Sequence, residues 1–328
     1  MSVNHISLDK SHTGFRQVKE LLLHGNKVTV SDEAAADITK CREYLNRKMS
    51  GSDALFYGIN TGFGFLQNVK IDKGQLEALQ NNLLKSHACG MGEEVPLQIV
   101  KLMLALKIKS LSYGHSGVQL ETVKRLADMH NSDMLPVVFT QGSLGASGDL
   151  APLSHLCLPL IGMGEVFLEG KRIPAADALK KMNWQPISLQ SKEGLALING
   201  TQFMSAYGLY NLVQSERLMR WANIIAAISF DAFECSLDPL NENIHRVRPH
   251  EGQLNTAASI RELLKDSEIA HAKKNQVQDP YSFRLTVVVN GEDGLAGKGM
   301  AFRRYAEQTI RKETPAHLGV KICWVSKT

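Results

Sequence analysis

The 328 residues are enough for one large or two ordinary domains with a sizeable core, and 44% apolar with 21% charged residues is the composition of an ordinary soluble globular protein. The start is polar and no apolar run reaches the length of a membrane span, which argues against a secreted or membrane protein. The five cysteines are scattered and form no C-x-x-C pair, which argues against a disulfide framework and a zinc site and favours the cytoplasm. The net charge is +4, of which residues 286–328 supply three with seven Lys and Arg against four Asp and Glu, so the nearly neutral body lacks the basic surface of a nucleic-acid binder.

The first fifty residues predict a small leading unit. Three leucines at 21–23 indicate a short helix, and residues 27–30 predict a strand. Ser31 is placed to cap a helix that continues to Arg47. The glycine-rich residues 56–64 then predict a loop with unusual backbone angles, which is typical of functional loops.

Helical spacing of apolar residues dominates the next part of the chain. Leucines at 76, 79, 83 and 84 predict a helix that ends near 86–90, with Gly90 as its stop. A second helix is expected over about 96–111, and it is apolar nearly all round, which predicts that it is buried. A third helix is expected over about 118–130.

Residues 141–153 (QGSLGASGDLAPL) form the stretch around which the chain is organised. They follow an apolar run at 134–139, and the small residues at their centre let the backbone bend tightly and be approached closely. Asp149 is placed to cap a helix over about 150–161, and Pro152 suits its first turn. The stretch is therefore expected at a helix N-terminus, where free N–H groups favour developing negative charge.

The remainder of the body predicts one hairpin and one long helix. Residues 165–172 predict a small hairpin that turns at 169–170. The apolar segment 194–201 ends at Thr201, which is expected to cap a long helix over about 202–234. The residues that follow are polar and predict loops. Many helices and few strands make the fold class mainly α.

Familiar catalytic motifs match only in part. Residues 145–149 come close to the G-x-S-x-G nucleophile elbow, but Asp149 stands at the fifth position, which leaves a serine hydrolase as a weaker alternative. Residues 291–298 hint at a phosphate-binding loop whose spacing is one residue too long. His245 and His250 are five residues apart and do not share a helix face as metal ligands would.

Five stretches, taken in their order along the chain, are more informative than these partial motifs. They are residues 57–64 (YGINTGFG), 86–90 (SHACG), 142–153 (GSLGASGDLAPL), 193–201 (EGLALINGT) and 278–284 (QDPYSFR). In this order they resemble the ammonia-lyase family acting on aromatic amino acids, over about residues 8–285. The resemblance implies the mainly α, ammonia-lyase and fumarase-like helical fold. We expect an N-terminal part with a few short strands and an incomplete central helical bundle.

The resemblance also implies a cofactor made from the chain itself. In this family an Ala-Ser-Gly sequence cyclises spontaneously and loses two waters to give a methylidene-imidazolone, so Ala146, Ser147 and Gly148 are expected to form it, without a metal or a dissociable cofactor. The nitrogen of Gly148 must reach the carbonyl of Ala146, which requires small side chains and a tight bend. Ser147 supplies the hydroxyl that leaves.

The reaction implied by the resemblance removes ammonia from L-histidine and gives trans-urocanate. Tyr57 matches the base that takes the β-proton. Arg284 matches the residue that holds the substrate carboxylate, for which a planar guanidinium is well suited. The other matching positions are Asn199 and Tyr281 near the ring and Gln278 at another polar position of the site.

His87 matches the residue that reads the substrate side chain. The Ser86–His87 pair favours histidine, because phenylalanine-type enzymes usually carry apolar residues there and tyrosine-type enzymes a His-Leu order. A tyrosine or phenylalanine ammonia-lyase or an aminomutase remains the alternative within the family.

The resemblance ends near residue 285, which predicts a catalytic region at 1–285 and a divergent basic tail at 286–328. The family continues with a second half that completes the helical bundle and the contacts of a homotetramer, so the sequence suggests a truncated or replaced C-terminus. A truncated and catalytically inactive relative is therefore the second hypothesis. It predicts that the apolar surface of the long helix after Thr201 lies open.

Overall fold

Helices make up most of the described chain, as the spacing of its apolar residues predicts. The computed structural model describes residues 5–50, 54–62, 68–144, 148–272, 284–290, 299–314 and 319–325. The chain divides into two compact units, Met1–Glu216 and Arg217–Thr328. The division at 285 that charge and motifs suggest stays a prediction. No helix in the described ranges is long and apolar enough to cross a bilayer.

The predicted helices of the first unit are confirmed to within a few residues. Ser31 caps α2 as expected, because its Oγ accepts the Ala34 N–H at 3.1 Å. The helices are α1 (Phe15–His24), α2 (Asp32–Ser50), α3 (Leu76–His87), α4 (Leu97–Leu111), α5 (Leu120–Asn131), α6 (Leu150–Cys157), α7 (Ala175–Lys181), α8 (Glu193–Ile198) and α9 (Gln202–Ala232), the last of which contains the unit boundary.

Short strands surround these helices. Strands β1 (His5–Leu8) and β2 (Lys27–Val30) form a parallel pair. Strands β3 (Met91–Glu94) and β5 (Phe139–Gln141) form an antiparallel pair. A third, antiparallel sheet has the strand order β4 (Leu135–Pro136), β6 (Glu165–Leu168) and β7 (Lys171–Pro174). The predicted hairpin is confirmed: Leu168 pairs with Lys171, and both turn residues, Glu169 and Gly170, have positive φ. The predicted strand at 27–30 is confirmed as well.

The core of the first unit is built around α4. Its side chains are buried on almost every face, as the all-round apolar pattern predicts, and Ile99, Met103, Leu104 and Ile108 have essentially no exposed surface. Helices α3, α6 and α8 pack together beside it. Of the residues that the sequence singled out, His87, Gly148 and Asn199 lie at or next to the ends of these helices, so this core fixes their backbone positions.

The second unit has its own small core, formed by Ala227, Leu240, Ala257, Ile260 and Leu264. Its elements after α9 are α10 (Glu242–Arg246), α11 (Glu251–Leu263), α12 (Glu268–Ala272), β8 (Arg284–Asn290), α13 (Met300–Glu313) and β9 (Gly319–Val325). Strands β8 and β9 are parallel and separated in sequence by α13. The loop predicted around 245 is wrong, because α10 forms there with Asn241 as its side-chain cap.

Candidate active site at the Gly148–Gly200 contact

Two glycines make an unusually close backbone contact in the first unit. Gly148 and Gly200 form an isolated parallel bridge, and the N–H of Asp149 donates to the Gly200 carbonyl at 2.8 Å. Gly148 has φ +95°, and a Cβ added to it would lie 2.4 Å from the Gly200 oxygen. Since no side chain fits in that space, the position requires glycine. Ala146 and Ser147, which precede it, lie outside the described residues.

Asp149 is the hub of polar contacts around this bridge. It is 2% exposed, and its Oδ1 accepts the hydroxyl of Ser143 at 2.7 Å. Its Oδ2 accepts the backbone N–H groups of Phe203 and Met204 at 3.0 and 3.1 Å, at the start of α9. The carboxylate therefore joins the stretch before residues 146–148 to the helix after Gly200.

Two predicted helix caps are corrected by these contacts. Asp149 occupies the N-cap position of α6 but makes no side-chain bond to that helix, and it caps α9 instead, where Thr201 was expected to do so. The bridge between Gly148 and Gly200 brings the N-terminus of α9 to Asp149, and a buried carboxylate gains from two free N–H groups and the helix dipole there.

The predicted site residue Asn199 lies at the C-terminal end of α8, immediately before Gly200. Its backbone N–H and its Nδ2 both donate to the Leu195 carbonyl, at 3.2 and 2.9 Å. Its own carbonyl accepts the ammonium of Lys107, at 2.8 Å, and the Ala196 carbonyl accepts the same ammonium at the same distance. Both the backbone and the side chain of Asn199 are thereby fixed next to the glycine contact.

The N-terminal end of α8 is fixed by buried polar groups. The Glu193 carboxylate accepts the Thr122 hydroxyl at 2.7 Å and the backbone N–H groups of Gln119 and Gln190 at 2.9 and 2.7 Å. The N–H of Gly194 donates to the Gln80 side chain at 2.9 Å. This six-residue helix is held at both ends, which a helix of its length requires to be stable.

His87 is the last residue of α3. Its Nδ1 lies 2.9 Å from the Leu83 carbonyl, and Ser86 Oγ lies 3.1 Å from the same nitrogen. A carbonyl can only accept, so Nδ1 is the donor in this contact. In the neutral ring with its proton on Nδ1, Nε2 is a hydrogen-bond acceptor at the outer end of this half-buried side chain.

The residues after His87 pack against the stretch that leads to residues 146–148. The N–H of Gly90 donates to His155 Nε2 at 3.0 Å, and burial lowers the pKa of His155, which keeps that nitrogen an acceptor. A Cβ on Gly142 would lie 3.1 Å from the Gly90 Cα. The prediction that Gly90 stops α3 is wrong, because the helix ends at His87, and Gly90 instead allows this close approach.

Tyr57 lies on the predicted loop, whose described residues run from 54 to 62. Gly58 has φ +68°, which confirms the unusual backbone. Asn60 fixes the turn, since its Oδ1 accepts the Phe56 N–H at 2.7 Å and its Nδ2 donates to the Ala54 carbonyl at 2.8 Å. The Tyr57 side chain is 56% exposed.

Three other predicted site residues come later in the sequence. Arg284 is the first residue of β8, in the second unit. Gln278 and Tyr281 lie outside the described residues. The first unit thus brings Gly148 into contact with the residue after Asn199 and packs the stretch after His87 against residue 142. Within the described ranges, no group of three or more His, Cys, Asp or Glu side chains could hold a metal ion.

Known proteins match this arrangement along most of its length. A family model described as aromatic amino acid lyase matches residues 14–294. The chain belongs to the aromatic amino acid lyase family. It is 46% identical over 285 residues to the histidine ammonia-lyase of Deinococcus radiodurans, covering 85% of this chain and 54% of that relative. It is 42% identical over 317 residues to the enzyme of the same name from Myxococcus xanthus, covering 96% and 62%.

Solved structures of the family confirm the predicted mainly helical lyase fold. The chain resembles the histidine ammonia-lyase of Trypanosoma cruzi with a TM-score of 0.71 at 38% identity, covering 78% of this chain and 49% of that one. It resembles a ligand-bound tyrosine aminomutase variant with a TM-score of 0.75 at 30% identity, covering 84% and 53%. The chain spans about half to three-fifths of the length of the relatives that it matches.

Sequence reasoning missed Lys107 and Glu193, two essentially buried polar residues that fasten α8, the helix that leads to Asn199. Lys107 could have been found, because an ammonium in the middle of an apolar helix needs buried acceptors. Glu193 gives no comparable signal, since a glutamate in a first helical turn is common on surfaces.

Proposed function

We propose that this chain is a histidine ammonia-lyase, which removes ammonia from L-histidine to give trans-urocanate. The observation that carries the proposal is the contact between Gly148 and Gly200, because it joins the third residue expected to cyclise to the residue after Asn199. Two relatives named histidine ammonia-lyase are 46% and 42% identical to this chain, whereas the ligand-bound tyrosine aminomutase variant is 30% identical. These identities support histidine over tyrosine as the substrate.

The residues present fit a methylidene-imidazolone formed from Ala146, Ser147 and Gly148. Cyclisation needs a residue without a side chain at the third position, and Gly148 has φ +95° with no room for a Cβ. The group would supply a strong electrophile that takes up the substrate amino group and makes it a better leaving group. Asn199 would lie beside it, with a backbone that cannot shift freely because Lys107 and Asp149 hold both sides.

Two residues would bind and deprotonate the substrate. Arg284 would hold the carboxylate through two parallel N–H···O bonds, which fixes the orientation of the α-carbon. Tyr57 would act as the base that takes the β-proton, and Gly58 and Asn60 fix the turn on which it lies. Gln278 and Tyr281 would complete the polar wall of the site.

His87 would select the substrate by its tautomer. With the proton on Nδ1 held by the Leu83 carbonyl, Nε2 can accept the N–H of the substrate imidazole. A phenyl ring has no such donor, and leaving Nε2 unpaired in a closed site would cost about 1–3 kcal/mol. This preference distinguishes histidine from phenylalanine.

An exposed apolar surface on α9 agrees both with a truncated relative and with a chain that associates with copies of itself. Helix α9 exposes Trp221, Ile225 and Ile228, each by more than half of its surface. A row of this kind marks a surface that packs against another chain. The proposal is that copies of this protein meet along α9.

The substrate is tested by comparing L-histidine, L-tyrosine and L-phenylalanine as sources of ammonia and of an ultraviolet-absorbing product. We expect histidine to be preferred and the preference to fall at least about tenfold in His87→Leu. His24→Leu is the matched control, because His24 also ends a helix, α1, and should leave turnover unchanged. Preference for tyrosine or phenylalanine would select the alternative lyase or aminomutase. A folded chain that turns over none of the three would select the inactive relative.

A further inference from the structure

Lys107 is an ammonium group buried in the largely apolar helix α4. It is 1% exposed. Its Nζ donates to the Ala196 and Asn199 carbonyls, both at 2.8 Å, across about ninety residues of sequence. These carbonyls belong to the C-terminal end of α8, where a positive charge is favoured by the helix dipole.

The group is charged at neutral pH despite its burial. Burial lowers the pKa of Lys107 to about 8, so the ammonium form still dominates at pH 7. Its titratable neighbour Cys157 has a pKa raised by burial to about 12 and stays a neutral thiol. The charge is therefore stabilised by the two carbonyls, and removing it would leave them without this donor.

The contacts lead from Lys107 directly to the site. Lys107 holds the carbonyl of Asn199, and the next carbonyl along the chain, that of Gly200, accepts the N–H of Asp149 at 2.8 Å. Gly200 in turn lies against Gly148. The segment 199–200 is thus clamped between an ammonium on one side and the Gly148–Asp149 backbone on the other.

We propose that Lys107 is a positioning residue for the reaction, whose ammonium fixes the backbone of Asn199 and Gly200 against Gly148 and so sets where the Asn199 side chain meets the substrate. This inference rests on the proposed function. A shift of about 1 Å at such a residue can lower turnover about a hundredfold, so the position of Asn199 matters even though Lys107 touches no substrate.

The first test replaces the ammonium with an uncharged chain of similar length, Lys107→Met. The matched control is Lys109→Met, because Lys109 lies on the same helix and its Nζ also donates to two backbone carbonyls, those of Asp9 and Ser11, away from the site. We expect kcat for histidine to fall by about tenfold or more in Lys107→Met with KM changed less than about threefold. A kcat equal to that of the control would overturn the proposal.

A double-mutant cycle then separates positioning from general stability. If Lys107 acts through Asn199, Lys107→Met should lower kcat much less in the Asn199→Ala background than in the wild type. Equal losses in both backgrounds would contradict the proposal. If Lys107→Met does not fold, the cycle uses Lys107→Arg. A kcat near that of the wild type, or a loss of kcat that is coupled to Asn199, supports the proposal. A loss of kcat that is equal in both backgrounds contradicts it.

A measurement without turnover distinguishes failure of this inference from failure of the proposed function. Hydrogen exchange of the Asp149 amide reports on its bond to Gly200 in any folded chain. We expect exchange there to speed up about tenfold or more in Lys107→Met and to stay unchanged in Lys109→Met. Unchanged protection in Lys107→Met overturns the clamp, whereas a wild type that forms no urocanate overturns the function alone.

Discussion

Gly148→Ala is the substitution that most sharply probes the glycine contact. The added Cβ would meet the Gly200 oxygen at 2.4 Å, its nitrogen at 2.9 Å and its carbonyl carbon at 3.0 Å. All three are backbone atoms, so no side-chain rotation relieves the clash. Residue 148 or residue 200 must move, and the hydrogen bond between Asp149 and Gly200 must lengthen or break.

The chain offers a control that also has a positive φ but no clash. Gly170 has φ +74°, and no atom lies within 4 Å of the position that its Cβ would take. Gly170→Ala should therefore lose only the cost of a positive φ, about 1–2 kcal/mol. Gly148→Ala adds the lost hydrogen bond and the disturbed caps of the buried Asp149 carboxylate, which brings the total to about 3–5 kcal/mol.

Urea-induced unfolding at pH 7 gives the free energy of unfolding of both variants and of the wild type. The expected result is a loss in Gly148→Ala that exceeds the loss in Gly170→Ala by about 2 kcal/mol or more. Equal losses in the two variants would refute the reasoning, because the close approach would then contribute nothing.

Three further predictions test the surroundings of the site. Asp149→Asn should lower the free energy of unfolding, measured in urea, by about 2–3 kcal/mol, because the cap of α9 loses its charge. Ser143→Ala, which removes only the hydroxyl bonded to Asp149, should lower it by about 1 kcal/mol. Equal losses in the two variants would contradict the capping of α9 by the carboxylate. Burial lowers the pKa of His130 from 6.5 to about 4, so between these pH values the unfolded chain binds a proton at this residue and the folded chain does not. The free energy of unfolding should therefore fall by up to about 3 kcal/mol as the pH drops from 6.5 to 4. His130→Leu should remove this part of the pH dependence, and an unchanged slope in urea unfolding would argue against it. Iodoacetamide on the native protein should modify the exposed Cys89 and spare the buried Cys157, whose pKa burial raises to about 12; peptide mapping that finds equal labelling would contradict this.

Local patterns predicted most of the first unit. Helix α4 and the hairpin at 165–174 follow from apolar spacing and turn residues, which are decided by neighbours in the sequence. The cap of α9 could not be predicted in this way. Asp149 is more than fifty residues from the N–H groups that it accepts, and only the contact between two glycines brings them together.

The site was predicted in part for the same reason. His87 and Asn199 were proposed by resemblance, but the sequence does not show that Lys107 meets the Asn199 carbonyl, because the two residues are about ninety positions apart. Arg284 was identified together with Gln278 and Tyr281 as one stretch, and their roles stay predictions. The sequence therefore predicts roles for the residues of this site, but it does not predict the long-range contacts that hold them.

The intact mass of the purified chain tests the central claim most directly, because the proposed electrophile forms from the chain without an added reagent. We predict a mass two water molecules below that of the sequence, located by peptide mapping to the fragment that contains Ala146, Ser147 and Gly148. Ser147→Ala, which lacks the hydroxyl that leaves, should restore the unmodified mass. A folded wild-type chain of unmodified mass would contradict the proposed electrophile.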